Sequence, residues 1–167
     1  MNKLLIAAIS AALFTSPILA DETWTGFHLG VHVGTSELSA GPLDDSGTMY
    51  GIQAGYNHDF GQFVLGGEID FSTAEYTILG ATGDIDSIRV KLRGGYDLGR
   101  AMVYGIIGAG SFDDGTTSET GSTLGLGVSY KATGNIIVSG EYLRDSIDVT
   151  GVDVDIDSLS LRAAYKF

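Results

Sequence analysis

The chain has 167 residues, with 21 acidic against nine basic side chains, 25 glycines, two prolines and no cysteine. The missing cysteine excludes a disulfide framework and a thiolate metal site. The net charge of −12 speaks against nucleic acid as a partner, and the scarcity of proline suits long strands.

The amino terminus reads as an export signal. Lys3 supplies a positive start, Leu4 to Phe14 an apolar stretch, and Ile18-Leu19-Ala20 a small-residue cleavage site just after Pro17. Cleavage is expected after Ala20, so residues 1–20 form the signal peptide and residues 21–167 one domain. No later stretch suits a spanning helix. The best uncharged run, Ala101 to Phe112, is short and carries Gly105, Gly108 and Gly110. A chain of this kind crosses a bilayer only as a closed barrel, because backbone groups in lipid need internal partners.

Eight strands are expected in chain order: Trp24–Thr35, Thr48–Asp59, Gln62–Ser72, Ser87–Leu98, Ala101–Gly110, Ser122–Ala132, Asn135–Arg144 and Ile156–Phe167. Each reaches the roughly 9–11 residues of a tilted transmembrane strand. Short connections at Phe60-Gly61, Gly99-Arg100 and Thr133-Gly134 alternate with long ones, as periplasmic turns alternate with external loops. The fold class is therefore all-β: an eight-stranded antiparallel up-and-down transmembrane β-barrel.

Side chains alternate with a period of two. Phe27, Leu29, Val31 and Val33 alternate with Gly26, His28, Gly30, His32 and Gly34 in the first strand. Leu159, Leu161, Ala163, Tyr165 and Phe167 alternate with Ser158, Ser160, Arg162 and Lys166 in the last. The fifth strand is apolar on both faces and stays unassigned. In the seventh, Val138 and Tyr142 should face out, and Ser139 and Glu141 in.

Aromatic residues gather near the strand ends. Trp24, Tyr56, Phe63, Tyr96, Tyr104 and Tyr130 are expected in a girdle at the short-turn end, and Tyr50, Phe71, Phe112 and Tyr142 in a sparser one opposite. Inside, Glu68, Asp70 and Glu141 should meet Arg89, Lys91, Arg93 and Arg162. An eight-stranded barrel has a lumen just wide enough for side chains to fill, and buried charges there must pair. Fourteen acids, from Glu37 to Asp157 and including Asp145, fall in the long connections and adjoining strand ends, offset only by Arg144. That surface repels nucleic acid and permits divalent cations bridging to lipopolysaccharide.

The motifs WTGFHLGVHVG, GIQAGYNHDF, FVLGGEIDF, RGGYDLG, YGIIGAG, GEYLRDSID and the terminal LRAAYKF follow one another with characteristic spacing. In this order they resemble the small outer-membrane barrels of the OmpA/OmpX type, in particular the short alphaproteobacterial "porin family". Two positions depart from that pattern: His28 stands where an aromatic is usual, and Arg144 where a second tyrosine is common. The resemblance implies that Tyr165 and the terminal Phe167 carry the signal read by the barrel-assembly machinery. It also implies Sec export and residence among outer-membrane lipids and lipopolysaccharide.

Some barrels of this size modify lipid A, so catalysis must be weighed. Deacylase barrels carry a His-x-Ser pattern on a late strand, yet this chain has no histidine after His58. A metal shared by His28 and His32 is also excluded, since four residues along a strand span about 13 Å. No cofactor or catalytic residue is expected. The expected role is envelope structure and surface interaction, with a narrow porin-like channel as the alternative.

Overall fold

A computed structural model describes residues 23–40, 43–78, 81–113, 115, 117–149 and 152–167. The expected signal peptide lies outside the described residues. The strands are β1 (Gly26–Ala40), β2 (Leu43–Asp59), β3 (Phe63–Ile78), β4 (Ala81–Asp97), β5 (Ala101–Asp113), β6 (Ser118–Lys131), β7 (Ile136–Val149) and β8 (Val152–Lys166). Each pairs antiparallel with its sequence neighbour, and β8 returns to β1 to close the barrel. Closure leaves no sheet edge in the spanning region, as a bilayer demands.

The wall is inside out relative to a soluble protein. Leu29, Val31, Ile52, Leu65, Leu92, Leu126 and Leu161 are exposed, whereas Lys91, Glu141, Asp70 and Asp145 are fully buried. A soluble domain rarely exposes so continuous an apolar surface, and around a polar interior it marks a lipid-facing barrel.

At two short turns the same device recurs. Asp59 and Asp97 each accept, through Oδ1, the backbone N–H two residues on, from Gly61 (2.8 Å) and Gly99 (2.6 Å). Those glycines have φ of 101° and 86°, a region that glycine occupies without steric cost.

At the other end the strands run further than the composition suggests. β4 begins at Ala81 rather than Ser87, and β1 continues to Ala40 rather than Thr35. The segments read as long connections are largely strand-paired hairpins. Their Ser, Thr, Asp and Gly residues look like turn formers, but they alternate with Leu38, Met49, Ala74, Ile85, Phe112, Ile147 and Ile156. These pack inward as apolar clusters beneath the far rim.

Three aromatic assignments need correction. Trp24 and Tyr104 do not join the girdle, and Phe112 does not join the opposite one; all three are buried inside. Tyr104 falls on the inward parity of β5 with Met102, Ile106 and Phe112, and Gly127 on β6 leaves room for its ring. A Cβ on Gly127 would lie 2.4 Å from that ring. Tyr56, Phe63, Tyr96 and Tyr130 do face outward, with Phe63 edge-on to Tyr96 at 5.6 Å. Tyr165 and Phe167 also face outward, their rings 5.0 Å apart, and Phe167 N–H donates to the Phe27 carbonyl to finish the seam.

Candidate functional site

The lumen holds the densest chemistry of the described residues. Alternation along β3 and β4 sends Glu68 and Asp70, and Arg89, Lys91 and Arg93, to the inner face. The register sets Glu68 opposite Lys91 and Asp70 opposite Arg89. β7 supplies Glu141 and Asp145, and β8 supplies Arg162, from the opposite wall.

Glu68 is the hub. Its carboxylate lies 2.9 Å from Lys91 Nζ, 2.7 Å from Arg93, 2.7 Å from Arg162 and 3.1 Å from His28 Nε2. Glu141 accepts from Lys91 at 2.8 Å, from Tyr104 O–H at 3.1 Å and from Arg162. Asp70 contacts Arg162 at 3.1 Å and Lys91 at 3.4 Å, and lies 3.6 Å from Arg89. The seven charges expected in the lumen thus fall in one connected cluster.

The sequence places Asp145 in a long connection, yet it belongs to this cluster. It is fully buried, accepts from Arg89 Nε and Nη2 at 3.0 and 2.8 Å, and also accepts the Thr123 hydroxyl. Its signal was parity, because it lies four residues beyond Glu141 on one continuous strand. With Asp145 included, Glu68, Asp70, Glu141 and Asp145 balance Arg89, Lys91, Arg93 and Arg162 one for one. Ions this deep are tolerable because each has an opposite charge within reach.

Apolar layers flank the network on both sides. Toward the short turns, Trp24, Val64, Met102 and Ile137 belong to one apolar cluster, which continues through Ile106 and Leu143 alongside the charges. Its indole N–H donates to Asp97 Oδ1 at 3.0 Å, its backbone N–H to Asp59 Oδ2 at 3.1 Å, and Lys131 Nζ sits 4.5 Å from its ring. The two turn-forming aspartates therefore also anchor the plug. Toward the far rim, Phe112 lies under Arg89 at 5.1 Å within the second layer.

The histidines are absorbed into this packing. His28 lies against Gly55 and bonds Glu68, while His32 lies against Gly51 and bonds Gln53 at 2.8 Å and Ser72 at 3.3 Å. A serine, a histidine and Asp70 do meet here. However, the Ser72 hydroxyl already donates to Asp70 at 2.7 Å and accepts from Arg89 at 3.0 Å. All three residues are at most 5% exposed, inside the barrel, so the group has no opening to an acyl substrate. No cluster of three or more metal-ligating side chains suited to an ion occurs among the described residues.

Residues 6–167 match the family described as "Outer membrane protein beta-barrel domain". The chain belongs to this family. It is similar to the 22 kDa outer membrane protein of Rhizobium leguminosarum bv. viciae, 29% identical across 90% of this chain and 76% of that protein. Among solved structures it resembles Ail, the attachment invasion locus protein of Yersinia pestis, in complex with the heparin analogue sucrose octasulfate. That likeness has a TM-score of 0.63 at 16% identity, covering 86% of this chain and 99% of Ail. The outer membrane enzyme PagL also aligns, at a TM-score of 0.56 and 16% identity over 84% of this chain and 99% of PagL. At such identities these likenesses show a shared fold. This outer-membrane barrel therefore shares its architecture both with an attachment protein and with an enzyme.

Proposed function

We propose that this barrel serves envelope structure and surface interaction and does not catalyse. The connected ion-pair cluster in the lumen, with apolar layers toward both ends, carries this reading over a narrow channel. The engagement of Ser72 and of both buried histidines in packing supports a non-enzymatic role. Export follows the Sec route with cleavage after Ala20, and Tyr165 and Phe167 act as the assembly signal. The far rim then faces outward, among lipopolysaccharide.

The neighbour Ail is seen with a polyanion. Here the exposed far-rim acids Glu37, Glu75, Asp84, Asp86 and Asp113 disfavour such a ligand. Partners at this surface are expected to be cationic or bridged by divalent cations.

Amino-terminal sequencing of the membrane form should begin at Asp21; a chain retaining Met1 would overturn the export reading. Deleting the gene should sensitise cells to detergent while leaving small-solute uptake unchanged. Slower uptake with intact detergent resistance would instead favour the channel.

A further inference from the structure

A groove of about 870 Å³ crosses the outer surface of β1 to β6 near the far rim. Its floor is apolar, with Ile52, Phe71 and Ile88 side by side in the register. The next row toward the rim runs Tyr50, Thr73, Asp86, Asp113 and Ser118, also in register. On β4 the exposed Asp86 is the first outward position beyond the exposed Ile88, so the carboxylates begin where the apolar belt ends.

Asp86 and Asp113 are direct cross-strand partners and both are exposed. Like charges directly opposite each other destabilise a sheet. Among the described residues no lysine or arginine pairs with them. Arg89, Lys91, Arg93 and Arg162 are in the lumen, Arg100, Lys131 and Lys166 are at the short-turn end, and Arg144 pairs with Asp157 at 2.8 Å. Asp86 accepts the Thr73 hydroxyl at 2.7 Å, and Ser111 and Ser118 share a hydrogen bond of 3.0 Å along the same rim.

The geometry points to a lipid-binding groove that selects an acylated lipid with a cationic amine in its head group. The ammonium sits between Asp86 and Asp113, with the neighbouring hydroxyl oxygens as further acceptors. The acyl chains descend over Ile52, Phe71 and Ile88. A single amphipathic molecule thereby satisfies both the repelling carboxylates and the apolar floor, which neither a free metal ion nor a hydrocarbon chain does. The inference rests on the barrel and its membrane orientation, but not on the role proposed for the lumen.

The test is native mass spectrometry of the folded protein with lysyl-phosphatidylglycerol and phosphatidylglycerol of identical acyl chains. Several-fold preferential retention of the lysyl lipid is expected. The preference should vanish in the Asp86→Asn/Asp113→Asn double variant and persist in Glu37→Gln/Asp155→Asn, which removes the same charge elsewhere on the surface. Equal retention of the two lipids would overturn the proposal. So would phosphatidylglycerol binding that appears only with magnesium, or equal loss in both double variants. Heat-modifiable migration of each sample keeps loss of the barrel separate from loss of the site.

Discussion

Replacing Glu68 by alanine is expected to destabilise the folded barrel by about 3–5 kcal/mol, the scale for breaking a buried ion pair. The reason is arithmetic of charge. Lys91, Arg93 and Arg162 all converge on this carboxylate, and without it four cations face only Asp70, Glu141 and Asp145. Folding titrations in urea with lipid vesicles, read by heat-modifiable gel migration, measure the change. Glu68→Gln retains shape and hydrogen bonding but not charge, and should also destabilise. By contrast, the solvent-exposed pair Arg144–Asp157 offers a control whose removal should leave the midpoint near wild type. A neutral Glu68→Ala would mean that water screens these charges and that the lumen is open.

Trp24→Ala should cost about as much, about 3–5 kcal/mol for a fully buried ring. Trp24 is the largest side chain in the layer toward the short turns, and it bonds both turn aspartates. Trp24→Phe keeps one ring but loses the indole bond to Asp97 and part of the packing, so it should cost less than the alanine change yet more than the roughly 1 kcal/mol of the bond alone. The same urea titration separates the two variants. An alanine variant as stable as wild type would place the ring at the lipid interface instead.

Trp24 also shows where sequence reading stops. Two aromatic belts are expected of any transmembrane barrel, and an aromatic near a strand end invites that assignment. Trp24 precedes β1, so strand parity does not govern it; the aspartates that hold it lie 35 and 73 residues away. Tyr104 and Phe112 sit on β5, whose two faces are equally apolar. Their direction follows from space on the neighbouring strands, and for Tyr104 from Gly127, which only the register identifies.

The charge cluster was more legible. Glu68, Asp70, Arg89, Lys91, Arg93, Glu141 and Arg162 all interrupt apolar strands at every second position, and a lipid-facing charge is too costly to be the alternative. Their specific pairing was not legible. Arg89 turns to Asp145 rather than Glu68, because β7 places a second carboxylate within 2.8 Å of its guanidinium. Asp145 itself was obscured by the polar run that follows it, which resembles a loop until its apolar partners Ile147 and Ile156 are seen to share a core.

Single-channel recording in planar bilayers tests the central claim most directly, that side chains and paired charges fill this barrel. The wild type should show no stable conducting state, and Glu68→Ala should introduce flickering openings as the network loses its hub. Large, steady, ion-selective steps from the wild-type protein would contradict the account.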